Sequence, residues 1–555
     1  MIEVRRASRP VLRSRWMAEE FSRDEQAALE PYVTNLDGPV FALVSLPEVV
    51  KGALFARYSR SPKSLRRLFL DEFLGPGGLE AARRGGMAGE AGAQRAEQLF
   101  ERVFVEYGDD SVAQLGGVHL ACEGASNILT KVLEWGRLMA YLEQSTRYIP
   151  YDDRPDGHYR YHVPAELEGS LRDRYVATLD RAFDVYRAWL PKLRAFFETK
   201  FPRDPAESES VYRMTIRAKA LDTLRGMLPA ATTSNVGIYG TGQAYEQLLL
   251  RMRAHPLREV RDCADRMLVE LRKVIPAFLK RVDVPDRGGV WSTYLEQTRR
   301  DMRDVTTRLV ERGRASTPSR GLTDVVDDEV TLTDYDPEGE VKVIAAALYA
   351  VSCRPDAELV EIARRMTADE RNAVLAAYVG KRLNRRHRPG RAFERTAYRF
   401  DVLSDYGAFR DLQRHRLLTL EWQRLTPRHG YVVPEAVAEA GAAEEWRSVL
   451  AESAELHDAI EAAGLPEVAS YAVSMAYRVR FYMAMNAREA MHVIELRTTP
   501  QGHPSYRRIC QVMHRLIGAR HPAIAAAMSF ADHTAVDLER LEAERAAERR
   551  RAASR

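Results

Sequence analysis

The sequence predicts an α+β fold made of two tandem copies of one domain, each helix-rich around a β-sheet. Ala53-Leu-Phe-Ala-Arg-Tyr-Ser-Arg-Ser-Pro62 returns, one residue shorter, as Ala347-Leu-Tyr-Ala-Val-Ser-Cys-Arg-Pro355. Tyr161-His-Val-Pro164 returns in the same order as Tyr431-Val-Val-Pro434. Two marks in one order are the signature of an internal repeat. Segments with apolar residues three and four apart also outnumber short alternating ones, which makes each copy helix-heavy. At 555 residues the chain is too long for one core and suits two domains.

In chain order, residues 1–35 read as an N-terminal arm, 36–300 as copy one, 301–335 as a linker, 336–530 as copy two and 531–555 as a charged helical tail. Gly75-Pro-Gly-Gly78 and the Gly/Ala-rich stretch to Gly92 read as a surface insertion of copy one, because such residues resist regular packing. Apolar periodicity predicts helices over 171–197, 260–282, 448–463 and 506–517. Strands are expected at 159–163, 330–332 and 430–433.

A hydrophobic content of 45% and a charged content of 29% are ordinary for a globular protein. The net charge of +4 gives no bulk electrostatic case for nucleic acid. No apolar stretch follows Met1 and no apolar run reaches membrane-spanning length, so a cytoplasmic protein without membrane contact is expected. Cys122, Cys263, Cys353 and Cys510 form no Cys-x-x-Cys pair and fit reduced thiols. Cys510 and His514 lie one helical turn apart, half a metal site with no matching half, so no metal is expected.

Phosphate-binding loops of the usual kinds are missing: there is no Gly-x-x-x-x-Gly-Lys-Ser/Thr, and Gly240-Thr-Gly242 lacks a third glycine. What remains is a set of Arg, His and Glu residues divided between the copies. Copy one carries Glu143-Gln-Ser145-Thr-Arg147-Tyr148, and copy two carries Arg414-His415-Arg416. Together they resemble the signature of the flavin-dependent thymidylate synthases, Arg-His-Arg followed by Asn-Glu-x-Ser-x-Arg-Tyr. Copy one keeps the end of that signature but has Trp135 and Gly136 where Arg and His belong, before Arg137. Copy two keeps the beginning, and its ending has become Glu421-Trp-Gln-Arg424. A second family block, Asn-x-Arg followed by Leu-Arg and His, is matched by Asn486-Ala-Arg488, His492, Leu496-Arg497 and His503. Copy one shows Arg225 before Leu228-Pro229, then Leu250-Arg251 and His255, but no Asn-x-Arg. Copy two has Ser470 where copy one has Arg225.

The resemblance implies roles for these residues. Arg414, His415, Arg416, Asn486, Arg488 and His492 would hold FAD. Glu143, Ser145, Arg147 and Arg225 would hold dUMP or a related pyrimidine nucleotide. Arg251, with Arg497 as a second candidate, would take the catalytic Leu-Arg place, stabilising a negative uracil as a fixed cation. Arg forks suit the phosphates of both ligands. The implied reaction is reductive methylation of dUMP to dTMP with methylenetetrahydrofolate and NADPH as co-substrates. A different pyrimidine modification, or a non-catalytic nucleotide-binding descendant, stays open beside it. Family sites lie between subunits, four to an assembly, which implies a homodimer of tandem chains and one composite site built from two half-sites. Read singly, the same residues are bland: Arg-His-Arg is a solvated face, Glu143 and Arg147 a one-turn ion pair, and Arg225 and Arg251 partners for Asp222 or Glu246.

Overall fold

The computed structural model describes residues 19–59, 61–74, 112–314 and 329–553. The Gly-rich insertion, the first half of the arm and the middle of the linker lie outside the described residues. Copy one is built on an antiparallel sheet of β1 (Gly117–Ser126), β2 (Met139–Glu143) and β3 (Thr233–Thr241), in the order β1-β3-β2. Copy two is built on β4 (Val330–Tyr335), β5 (Ala397–Asp405), β6 (Thr419–Trp422) and β7 (Arg478–Asn486), in the order β4-β5-β7-β6. The run β5-β7-β6 repeats β1-β3-β2 strand for strand, and β4 adds an edge.

The central strands owe their place to alternation. In β7, Val479, Phe481, Met483 and Met485 are buried, while the residues between them are half-buried on the other face. In β3, Val236, Ile238 and Gly240 point inward in the same way. Met, Ala, Arg and Gly are weak strand formers, which is why these strands escaped the sequence reading. The expected strands at 159–163 and 430–433 are single bridges instead, Tyr161 to Thr232 and Tyr431 to Tyr477. Residues 330–332 do open a strand, β4, so the second sheet begins inside the stretch read as linker.

Helices fill the expected segments: Gly169–Lys200, Ala443–Ala462 and Pro504–Gly518. The one expected over 260–282 ends early, at Arg272, and a short 3-10 turn follows at Pro276–Leu279, since proline cannot continue the hydrogen-bond ladder. The tail contributes the helix Leu541–Ala553. No helix among the described residues is long and apolar enough to cross a membrane.

Four strands pass into helices by one device. Ser126 after β1, Thr241 after β3, Asp405 after β5 and Asn486 after β7 each accept a backbone N–H with the side chain, at 2.8–3.3 Å. Such caps satisfy the first free amides of a helix and fix where it starts. Because the caps correspond, residues can be matched between copies one by one.

The copies join by reciprocal backbone hydrogen bonds. Ala230 N donates to Val473 O at 2.8 Å and Met475 N to Leu228 O at 2.9 Å. Ala231 N donates to Tyr471 O and Ala476 N to Gly226 O. Each bond has a partner with donor and acceptor copies exchanged, the pattern of a two-fold axis. The cores are shared as well. The long helix Gly169–Lys200 sends Tyr175 and Leu179 into one core, and Phe183, Leu190 and Leu193 into the other. Ala443–Ala462 does the reverse, with Leu456 and Ile460 in the first and Trp446 and Val449 in the second. Trp446 is fully buried, and a Cβ placed on Gly226 would approach its ring to 2.7 Å. Trp446→Ala is therefore expected to destabilise the chain by about 3–5 kcal/mol in guanidinium unfolding. Both cores should be lost together; two separated transitions in circular dichroism and fluorescence would contradict the shared packing.

Candidate functional site

The site forms where the end of β2 and the turn Arg225–Met227 of copy one meet the short helix Tyr406–Leu412 and the helices Ala487–Arg497 and Pro504–Gly518 of copy two. Glu143 closes β2 and its side chain has no exposed area. Its Oε1 accepts from Arg410 Nη2 at 2.8 Å, and its Oε2 faces Lys131 Nζ at 3.3 Å and bonds Arg414. Burial drives a carboxyl pKa up, but Arg410, Lys131 and Arg414 outweigh it and hold Glu143 well below the usual range.

Arg147 forms a two-pronged pair with Asp222, Nε to Oδ1 at 2.8 Å and Nη2 to Oδ2 at 2.6 Å. Its Nη1 donates to Tyr506 Oη at 3.1 Å, and its backbone N–H reaches Ser145 Oγ at 3.3 Å. Arg225 sits 3.5 Å from Asp411 Oδ2. Arg497 donates through Nε to His415 Nε2 at 2.9 Å and through Nη2 to the Asp411 carbonyl. That bond makes His415 Nε2 an acceptor, so the ring proton sits on Nδ1, 3.7 Å from Glu489 Oε1. Burial would raise the pKa of Asp411, but Arg414, Arg225, Arg497 and Arg147 keep it ionised. His503 is depressed to about 3 by burial and by Arg225. Asp411 thus lies at the centre of four guanidiniums, two from each copy.

Of the residues expected to hold flavin, His415, Arg416, Arg488 and His492 collect around Glu489. His415 and His492 meet edge to face at 5.4 Å, and Arg388 Nη2 contacts His492 Nδ1 at 2.8 Å. Burial lifts Glu489 to about 7 against the pull of Arg388, Arg488 and Arg416. Burial and neighbouring cations keep His415 and His492 neutral, the latter depressed to about 4. Asn486 caps its helix, Arg488 donates to the Pro389 carbonyl at 2.9 Å, and Arg416 donates to the Met139 carbonyl across the copy interface. His415 and Arg416 also border a cleft of about 380 Å³ whose other wall carries Trp135 and Arg251.

Arg251 stands apart from Arg147, Arg225 and Arg497. Its guanidinium lies 5.0 Å from the Trp135 ring, with Tyr141 and Glu421 as electrostatic neighbours. The caps explain why: counted from Thr241 and Asn486, Arg251 occupies the place of Leu496, and Met252 that of Arg497. Pairing Leu250-Arg251 with Leu496-Arg497 was one residue out of register. The simple ion pairs also fail. Asp222 belongs to Arg147, Glu246 to Arg281, and Glu143 pairs away from Arg147.

Sequence reasoning missed Asp411, Arg410, Lys131, Glu489 and Arg388. Asp411 had a usable signal, standing one helical turn before Arg414. The others are set only by contacts between distant segments. His415, Glu489 and His492 are also close enough to share a metal ion, as are His457, Asp458 and Glu461. Four guanidiniums around the first group, those of Arg388, Arg416, Arg488 and Arg497, oppose a cation there. Cys122 and Cys263, distant in sequence, line one cavity as free thiols.

A polyanion fits this donor set. Arg225 Nη2 and Arg414 Nε are buried without a hydrogen-bond partner, and unmade bonds to buried donors are costly. The exchanged position between the copies lacks these groups. Lys131, Val132, Trp135 and Gly136 replace Arg410, Asp411, Arg414 and His415. Gln247, Met252 and Ser470 replace His492, Arg497 and Arg225.

Comparison with known proteins agrees with the duplication. The family model described as thymidylate synthase complementing protein matches residues 71–277 and again 331–523. The chain is 38% identical to a UPF0159 protein of Chlamydia muridarum, over 95% of this chain and 98% of that protein. It is 31% identical to a UPF0159 protein of Thermoplasma acidophilum, over 89% and 97%. A flavin-dependent thymidylate synthase of Mycobacterium sp. (strain JLS) is 30% identical over 33% of this chain and 69% of its own length. With both copies matched by one family model, the chain belongs to the thymidylate synthase complementing protein family, that of the flavin-dependent thymidylate synthases.

Proposed function

We propose that this chain converts dUMP to dTMP by flavin-dependent reductive methylation, with methylenetetrahydrofolate and NADPH as co-substrates, at one composite site. The observation that carries this reading is the convergence of copy-one and copy-two residues on Asp411, beside two buried guanidinium donors without acceptors. Family membership supports FAD as the cofactor and dUMP as the nucleotide.

The residues divide the work by what is already bound to them. Arg225, with Nη2 unpartnered, is the direct phosphate anchor. Arg147 is committed to Asp222 and Tyr506, so it positions Ser145 and the loop around it. Glu143 is sealed off and braces Arg410 and Arg414 instead of touching substrate. Arg497, held by His415 and the Asp411 carbonyl, is a fixed cation suited to a pyrimidine ring that gains negative charge. It is the better candidate for the catalytic role than Arg251, which faces the cleft. His415, Arg416, Asn486, Arg488 and His492 hold the flavin, with Arg414 at the boundary of the two ligands. Bound and reduced, FAD supplies the hydride.

The test is product formation by the whole chain: dTMP from dUMP, methylenetetrahydrofolate and NADPH, with about one FAD retained per chain. Arg416→Ala with Arg488→Ala should lose the flavin and keep the fold. Two tight flavins per chain, or unchanged flavin in the double variant, would refute the composite site.

Arg225→Ala and Arg497→Ala should each weaken dUMP binding by about 10- to 150-fold, the worth of one charge-assisted bond. Arg251→Ala should leave dUMP affinity unchanged in the same calorimetric titration. Equal losses in all three variants would mean that the separation of Arg251 is not functional.

The flavin site should also respond to pH. Glu489, raised to about 7, is neutral below that value and anionic above it, among Arg388, Arg416, Arg488, His415 and His492. Its ionisation cancels positive charge, so affinity for the anionic cofactor should fall as pH rises through about 7. The histidines stay neutral throughout and add no slope. Glu489→Gln should flatten the profile between pH 6 and 8, as read by flavin fluorescence.

A further inference from the structure

The exchanged position, where the second composite site would lie, is not filled in. It holds two adjoining cavities of about 240 and 390 Å³, which share His255, Pro256, Arg299 and Arg303. The larger is a basin of arginines: Arg253, Arg261, Arg299, Arg300 and Arg303. Three of these have acids, Arg253 with Asp265, Arg300 with Glu296 at 2.8 Å and Arg303 with Glu467 at 2.5 Å. The other two hydrogen-bond only to carbonyl oxygens, Arg261 to His255 and Pro256 at 2.7 Å and Arg299 to Ala254.

Two guanidiniums without a carboxylate hydrogen bond therefore face one concavity, where five arginines outnumber Glu296 and the nearby Glu467, an arrangement that favours an anion and suits phosphate oxygens. The surplus is felt locally: His255, buried in the wall, is depressed to about 3 by burial and then by Arg299 and Arg261. The smaller cavity has a different character. Ile128, Val132, Tyr406, Trp422 and Leu425 give it an apolar and aromatic wall, on which a flat ring can rest, beside the polar Lys131, Arg424, Glu467 and Ser470. A charged basin opening into an aromatic slot matches a ligand with a phosphate at one end and a planar base at the other.

We propose that this basin and slot form a second, non-catalytic binding site for a nucleoside phosphate. It lacks what chemistry would need, since Met252 and Gly136 stand where Arg497 and His415 stand in the composite site. The helix Val290–Arg314 contributes Arg299, Arg300 and Arg303 to the basin, so the site uses residues with no role in the composite one. It does not rest on the reaction proposed above.

Calorimetric titration of the whole chain with dTMP, and separately with inorganic phosphate, tests the proposal. Arg299→Gln with Arg303→Gln should remove one dTMP site per chain. Arg300→Glu, at a side chain 60% exposed and therefore safe for folding, should weaken that same site by at least about tenfold. If the double variant does not fold, Arg300→Glu alone decides. Wild-type dTMP stoichiometry and affinity in Arg300→Glu would overturn the proposal. Inorganic phosphate binding there as tightly as dTMP would overturn it too, because the slot would then contribute nothing.

Discussion

A carboxylate without exposed area is tolerable only where cations and donors replace the water it has lost. Glu143 is such a group, and its own copy supplies only Lys131, which is shared with Glu134. The remaining compensation, Arg410 and Arg414, comes from the other copy. Leaving a buried charge unpaired costs about 3–5 kcal/mol, so docking of the copies is a condition of burying Glu143 at all. The same contact fixes the short helix Tyr406–Leu412 against β2. It thereby sets Asp411, Arg414 and His415 against the loop of Ser145 and Arg147.

The asymmetry between the two positions obeys the same electrostatics. Where Asp411 is Val132, three of the matching cations have gone as well: Trp135 for Arg414, Met252 for Arg497, Ser470 for Arg225. Removing acid and base together at these places orphans neither, whereas removing either alone would. Ser470 shows how completely one such place has been neutralised, since its hydroxyl donates to the Leu425 carbonyl at 3.0 Å. Divergence of this kind proceeds by groups of residues, and it leaves the backbone bonds of the pseudo-two-fold untouched.

The duplication was legible because Tyr161 and Tyr431 sit at bridges required by the backbone in both copies. Long amphipathic helices were legible too, since each must bury a stripe. The strands at the centre were not. β7 reads Arg-Val-Arg-Phe-Tyr-Met-Ala-Met-Asn, and only its neighbours β5 and β6 make those alternating residues a strand. At the site, the motif residues were found because their types are unusual in that order. Most of their partners were not, because Asp411 and Glu489 look like any acid on a helix until Arg225 or Arg388 is brought to them. The one-residue error at Arg251 has the same root. A Leu-Arg pair is common, and only the helix caps count the turns correctly.

The strand-like pairing of residues 228–231 with 471–476 joins two parts of a single polypeptide. Between separate subunits such a contact obeys mass action and comes apart on dilution. Within one chain the partner is present at an effective concentration of about millimolar, whatever the number of molecules in the surroundings. A site assembled from both halves then exists at any abundance, where an assembly of free single domains would dissolve as its members became rare. Scarcity lowers the total rate in proportion to the number of chains, and each chain remains whole.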